Sequence, residues 1–577
     1  MTSKASQSKS SQSKASQSKA SQSESPQAEP SLSGASPAKV TLYRGGLVYG
    51  PAHPCATALV VADGRIAWIG SDEAAAGHAD GVDAVVELDG ALVTPTFVDA
   101  HVHTSATGLA LRSVDLSDAR SLAQALARIE AAARKRAGRP VYAHSWDELD
   151  WPEHRPPSAQ ELDRATYGGV VYSPRVDGHS AVISSALAAA SGARNHPGWN
   201  DGGLVTREAH HAARDTFNSG ISAADRRADI DAALKAAVAA GIGLAHENGG
   251  PAVSSEADFA DVLGAGGSGL GPQVIGYWGE LVGDQESALV LAGRLGARGL
   301  AGDLNVDGSI GSRTASLRAP YAEGYDIVDD SKDGQDSGKT AHRGNSYLSV
   351  EQVRDHVAAC SLAGIQAGFH VIGDAGADTV IAGLKAAANQ VGVARVVAAR
   401  HRLEHLEMVD VDGIKALVEL GVMASVQPAF DARWGGSDSV YAARLGRARA
   451  RGMNPFATMS VAGLSFALGS DSPVTPFAPW QAIRDCVNHH DPAERISAES
   501  AFLAHTRGGW RAAGIDDRGY LDVGQPASFA VWSVDNAPRS GALAPGCLPD
   551  LSPGATLPTN LRTVIRGRTV FDRERGA

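Results

Sequence analysis

Between about residues 96 and 515, short apolar strands alternate with alanine-rich helical stretches, and this alternation constrains the fold more than any other feature. Parallel strands need a long crossover between them, and a helix is the usual one, so a strand–helix repeat reads as a parallel sheet or barrel. Eight strand candidates are legible: PTFVDAHVH, IGLAHENG, PQVIGYWG, LAGDLNVDGS, IQAGFHVIGD, RHRLEH, GVMASVQP and LSFALGSD. Helical runs such as Ala223 to Ala240 and Val353 to Ala363 lie between them. The pattern predicts an α/β protein built on a (β/α)8 TIM-like barrel, whose chemistry would sit at the C-terminal strand ends.

The flanks read differently. Residues 1–38 repeat SQSKA with almost no large apolar side chain, so a disordered low-complexity tail is expected there. No apolar run follows its lysines, which argues against a secretory signal. Residues 39–95 and 516–577 are both β-rich, and Asp63-Gly64 between two strand-like runs is a hairpin signal. Matching β-rich ends suggest one composite β-domain beside a barrel over 96–515. The interval from about 106 to 222 is too long for one crossover helix and predicts an inserted subdomain at the mouth. The acidic stretch 323–347 reads as a surface loop or a lid.

Polar residues recur at the predicted strand ends. Strand side chains alternate faces, so His101 and His103 point the same way. The fifth strand ends on His370, the sixth on His405, and the eighth leads into Asp471. A closed barrel brings these ends to one axis, gathering four imidazoles and a carboxylate. That donor set suits a divalent transition metal such as zinc. A metal ion acidifies bound water, and a carboxylate beside it can move its proton.

HVH, HVIGD, RHRLEH and SDSPV, in this order, resemble the amidohydrolase superfamily. DGSIGSRTASL and VDGHSAV are similar to its YtcJ-like branch (amidohydrolase family 3), which includes N-substituted formamide deformylases. The resemblance runs from about Val40 to Asp572. It implies the same barrel with a composite β-sandwich domain from both termini, and a hydrolase acting on carbon–nitrogen bonds other than peptide bonds. It assigns His101, His103, His370 and His405 to one or two metal ions, and Asp471 to the metal-bound water as catalytic base and then acid. Where the branch often has a lysine able to bridge two metals as its carbamate, this chain has Asp303, itself able to bridge. Ser528 in GQPASFAV replaces a common aspartate, in the β-domain. Glu247 and His246 are further candidates, with a structural role as the alternative. Asp177, His179, Ser180, Trp146, Asp147, Arg313 and Gln427-Pro428 are expected at the mouth as substrate contacts, Arg313 as a clamp for an anionic or carbonyl group. Hydrolysis of an ester or cyclic amide, deamination, and small-molecule binding without catalysis are the competing readings.

Several functions are disfavoured. A formal charge of −12 and a pI near 5.9 argue against nucleic acid and anionic membranes as partners; the resemblance implies a small-molecule substrate. No run reaches the length of a transmembrane helix. The four cysteines are scattered without a C-x-x-C pair, which fits a reducing, cytoplasmic setting. GAGGSG at 264–269 precedes a strand instead of following one, the reverse of a dinucleotide site. Gly178-His179-Ser180 lacks the second glycine of a nucleophile elbow, and no P-loop is present. A homodimer is expected from the resemblance alone.

Overall fold

The computed structural model describes residues 40–136, 138–322, 342–534 and 546–575. The expected tail over 1–38 and most of the acidic stretch 323–347 lie outside the described residues. Eight parallel strands form the central sheet: β1 (Phe97–Val102), β2 (Ile242–Gly249), β3 (Gln273–Trp278), β4 (Gly299–Leu300), β5 (Gln366–Val371), β6 (Arg402–His405), β7 (Met423–Val426) and β8 (Ser465–Leu468). They are hydrogen-bonded in chain order; seven coincide with the strands legible in the sequence, while the fourth legible run, LAGDLNVDGS, is strand only at Leu300 and continues as irregular chain. Helices on the outside and side chains within bury both faces, so β1, β2, β5, β6 and β7 are buried along their whole length.

The last gap, between β8 and β1, closes just beyond the strands. Asp471 N donates to His101 O and His103 N to Ser472 O, each at 2.9 Å. The buried Asp99 carboxylate ties the same seam, accepting from Ser470 N at 2.9 Å and His101 N at 3.2 Å. On the opposite side the short β4 is continued by an irregular segment. His370 N donates to Leu304 O at 3.1 Å and Val306 N to His370 O at 3.0 Å, which fixes the height of Asp303.

Two smaller sheets lie at the amino ends. One orders Arg65–Gly70, Ala58–Ala62, Thr41–Arg44 and Ala84–Glu87; the other orders Leu47–Val48, Leu92–Pro95, Phe529–Ser533, Thr559–Ile565 and Arg568–Asp572. The second therefore interleaves strands from both ends of the chain. Tyr43 and Phe529 meet edge to face across the two sheets at 5.1 Å. The turn joining the first two strands of the first sheet needs two positive φ values, met by Asp63 (52°) and Gly64 (72°). Leu92–Pro95 runs almost directly into β1, so this unit anchors the strand that carries His101.

Between β1 and β2 a five-stranded sheet is inserted, ordered Leu204–Thr206, Ser180–Ile183, Val171–Pro174, Val141–His144, Val114–Asp115. Among the described residues no helix is long and apolar enough to cross a membrane.

The helix after His103, α1 (Thr104–Leu111), packs against α2 (Ala223–Ala239), the helix that leads into β2. Their closest approach is at Gly108, where a Cβ would stand 1.7 Å from Asp229 O. A backbone carbonyl cannot swing aside as a side chain could. Gly108→Ala is therefore expected to force the helices apart and destabilise the fold by about 1–3 kcal/mol. Thermal unfolding followed by circular dichroism measures this, and an unchanged midpoint would contradict the tight crossing.

Candidate metal centre

Each predicted strand end delivers its side chain to one point. Asp303 stands in the middle: its Oδ1 lies 3.4 Å from His101 Nε2, 3.6 Å from His370 Nδ1 and 3.9 Å from His405 Nε2, and its Oδ2 is 3.1 Å from His103 Nε2. Asp471 Oδ1 is 3.2 Å from His103 Nε2 and 3.4 Å from His101 Nε2. Three overlapping triads result, each with ligand atoms within 4.8 Å of one another: His101–His103–Asp303, Asp303–His370–His405 and His101–His405–Asp471. Asp303 belongs to two of them. His405 (φ 70°) and Asp471 (φ 53°) hold left-handed backbone, uncommon for residues with a Cβ, where the chain turns off the strand ends.

Each imidazole is oriented by what its other nitrogen touches. His101 Nδ1 lies 2.9 Å from Glu404 Oε2, His103 Nδ1 donates to Asn248 O at 2.9 Å, and His405 Nδ1 bonds Gln427 Oε1 at 2.8 Å. All three thus aim Nε2 inward. His370 is reversed: its Nε2 donates to Gly308 O at 3.4 Å and its Nδ1 faces the centre. Glu404 is itself clamped by Arg402, whose Nε and Nη2 donate to it at 2.7 and 3.1 Å. The Arg402 guanidinium lies over the Tyr277 ring at 4.2 Å and also contacts His246 Nδ1 and Ala100 O.

The electrostatics favour a cation. Burial opposes charge on His103, but Asp303 and Asp471 outweigh it and hold its pKa well above the usual imidazole value. Burial likewise opposes charge on His405, yet Asp303 and Asp471 raise it to about 9. Burial would raise the carboxyl of Asp303, but His101 and His103 keep it well below the ordinary range; Asp471 is lowered against its own burial by His101, His103 and His405. The cluster draws positive charge inward. His101 Nε2 and Asp303 Oδ1 are buried without a hydrogen-bond partner. Such atoms are costly unless something satisfies them, and a divalent transition metal fits this mixed nitrogen–oxygen set.

A cavity opens beside the cluster, lined by His370, His405, Asp471, His179, Asp177 and Arg175 on one part and by Ile310, Ile372, Phe430, Trp434, Val440, Tyr441 and Val474 on another, with Glu407 also bordering it. Asp177 bonds Arg175, Ser309 and Ser312, and the His179 ring lies 5.1 Å from that of His370. Burial and the neighbouring His370 push His179 down to about 4, so it is neutral at pH 7. Burial pushes Glu407 up to about 7.

Other expectations for the mouth are corrected. Trp146 is not among the lining residues: its indole N–H donates to Ser173 O at 2.9 Å and its ring packs on Trp151 in the core of the insert. Arg313 is also buried and is not among the lining residues; the chain folds back there, with Thr314 N and Ala315 N both bonding Ser309 O, and Ile310 and Gly311 line the space. Asp147 is taken up by Arg175, Ser180 by Ser312, and Gln427 by His405. Glu247 accepts from Thr104 N at the start of α1, and His246 contacts Arg402, so both support the centre from outside. A fourth cluster, Asp431, His489 and His490, lies apart and is largely self-satisfied: His489 bonds Asn454 O, and Asp431 bonds His490. Glu404, Arg175, Glu407 and Tyr441 were not anticipated. For Glu404 a signal existed, a carboxylate directly beside the ligand in RLEH.

The barrel thus gathers a strand-end cluster of metal-suited donors beside a cavity. The chain belongs to the amidohydrolase family, whose model matches residues 84–571. It is similar to the putative amidohydrolase YtcJ of Bacillus subtilis (strain 168), 25% identical over 85% of this chain and 90% of that protein. It is also similar to an N-substituted formamide deformylase of Arthrobacter pascens, 23% identical over 84% of this chain and 91% of that one. The fold is shared with a crystal structure of an uncharacterized metal-dependent hydrolase from Pyrococcus furiosus, with a TM-score of 0.64 and 24% identity over 85% of this chain and 98% of that one.

Removing the carboxylate charge behind His101 tests the orientation argument. Glu404→Gln is expected to weaken metal retention by about 10- to 100-fold. Metal content measured after dialysis against graded chelator reads this, and wild-type retention would refute the role.

Proposed function

We propose that this protein hydrolyses a small carboxamide, a formamide in particular, at a carbon–nitrogen bond other than a peptide bond. The observation that carries the reading is the position of Asp471, whose Oδ1 faces His101 and His103 and also borders the cavity. His101, His103, Asp303, His370 and His405 would hold one or two divalent ions, zinc being the favoured one. A metal bound there supplies Lewis acidity toward a carbonyl oxygen and lowers the pKa of water.

The chain's own groups account for the rest. Asp471, held ionised by its imidazole neighbours, accepts a proton from the attacking water and returns it to the departing nitrogen. His179, neutral at pH 7, can donate an N–H to the carbonyl oxygen as negative charge develops there. The cavity's mix of an apolar aromatic wall with a few polar groups suits a small molecule. The similarity to a protein named as an N-substituted formamide deformylase supports the choice of bond.

Asp303 carries a further consequence. A lysine bridges metals only as its carbamate, whereas an aspartate is a ready ligand. Metal loading is therefore expected to proceed equally in carbon-dioxide-free and bicarbonate-supplemented buffer, as measured by metal stoichiometry. A requirement for bicarbonate would count against Asp303 as the bridge.

Chelation is expected to abolish turnover of N-formyl amines and added zinc to restore it. Asp471→Asn should keep its metal while turnover falls by about 10²- to 10⁴-fold. Activity indifferent to chelation, or near-normal turnover in Asp471→Asn, would overturn this mechanism. Faster hydrolysis of simple esters than of any amide would move the reading to an esterase.

A further inference from the structure

We propose that Glu407, with the aromatic wall around it, selects substrates bearing a positively charged amino group next to a flat apolar unit. The inference rests on the amide-hydrolase reading and specifies its substrate class. Glu407 is 3% exposed, yet its side chain borders the cavity. Its Oε2 accepts a hydrogen bond from the Tyr441 hydroxyl, and among the described residues it makes no direct ion pair, the charge of His405 acting on it only at longer range. A buried carboxylate without a counter-ion is unfavourable, and a bound cation relieves it.

The other charges around the cavity are already matched. Arg175 is enclosed by Asp147, Glu148 and Asp177 at 2.6, 2.9 and 3.1 Å, so it offers no free cation to an anionic substrate. Asp471 faces His101 and His103. Asp431, on the helix that also carries Phe430, is engaged by His489 and His490. Glu407 is the carboxylate left over.

The wall suits the same ligand. The His405 and Phe430 rings stack with centroids 6.0 Å apart, Phe430 meets Trp434 at 4.9 Å, and Trp434 meets Tyr441 at 6.4 Å. Rings thus run continuously from a metal-ligand candidate to the hydroxyl that holds Glu407. Their faces accept a flat hydrocarbon and attract an ammonium through their quadrupoles. Ile310, Ile372, Val440 and Val474 make the remaining surface apolar, so a carboxylate or phosphate placed there would be repelled by Glu407.

The test compares two probes that differ only in charge: N-[4-(aminomethyl)benzyl]formamide and N-(4-ethylbenzyl)formamide. Binding is measured by calorimetry on zinc-loaded Asp471→Asn protein, so that turnover does not intrude. The amino probe is expected to bind more tightly by roughly tenfold or more, the range of a hydrogen bond to a charged group. The preference should vanish when Glu407→Gln is added. Equal binding, tighter binding of the ethyl probe, or a preference that survives Glu407→Gln would overturn the proposal. The probe pair alone decides the matter if Glu407→Gln fails to fold. Failure of the wild-type enzyme to hydrolyse either probe, with the binding preference intact, would count against the amide reading and not against this one.

Discussion

Two backbone hydrogen bonds, Asp471 N to His101 O and His103 N to Ser472 O, close the barrel between its first and last strands. They also fix the residues that border the metal centre. A ligand set assembled from one local segment could drift with that segment. Here the ligands from β1 and the carboxylate after β8 are separated by hundreds of residues, and they hold their spacing because the sheet must close. The Asp99 carboxylate reinforces the seam by collecting the amides of His101 and Ser470. Geometry at the site and integrity of the barrel are therefore one constraint.

Behind the ligands lies a second arrangement of buried charge. Arg402, Glu404 and His101 are almost wholly removed from water. An isolated buried guanidinium would be prohibitively unfavourable, so its neighbours are informative. Glu404 takes two of its N–H groups, Ala100 O a third direction, and the Tyr277 ring its face. The carboxylate so held keeps its remaining attraction for His101 Nδ1. Positive charge in the barrel interior thereby fixes the direction of an imidazole that faces the opposite way, toward the cluster.

The fold was largely legible because its signals are local. Apolar runs of four to eight residues and the helical stretches between them persist whatever surrounds them, and the strand-end histidines follow from where those runs stop. The centre's supporting shell was less legible. Glu404 stands beside His405, yet its meaning depends on β1 lying across from it, a pairing that spacing cannot reveal. Trp146 and Arg313 were misjudged for a related reason. Loop position suggested exposure at the mouth, but an indole in the insert found a buried core, and the tight turn at 309–315 brings Ile310 and Gly311, not Arg313, to the cavity lining. Phe430, Trp434 and Tyr441 read in sequence as ordinary aromatic residues of short helices; only the packing of the segments after β6 and β7 makes them a wall.

The insert between β1 and β2 meets the barrel loops through a compact set of charges. Glu148 takes Arg444 at 3.0 Å and Arg175 at 2.9 Å, while Asp177 is bonded by Ser309 and Ser312. No metal-ligand candidate lies within this junction. Descendants of such a chain could therefore lengthen, shorten or recolour the rest of the insert, provided the junction and His179 survived, and explore new substrates without rebuilding the reaction centre. The seam preserves chemistry while the junction leaves recognition open to evolutionary change.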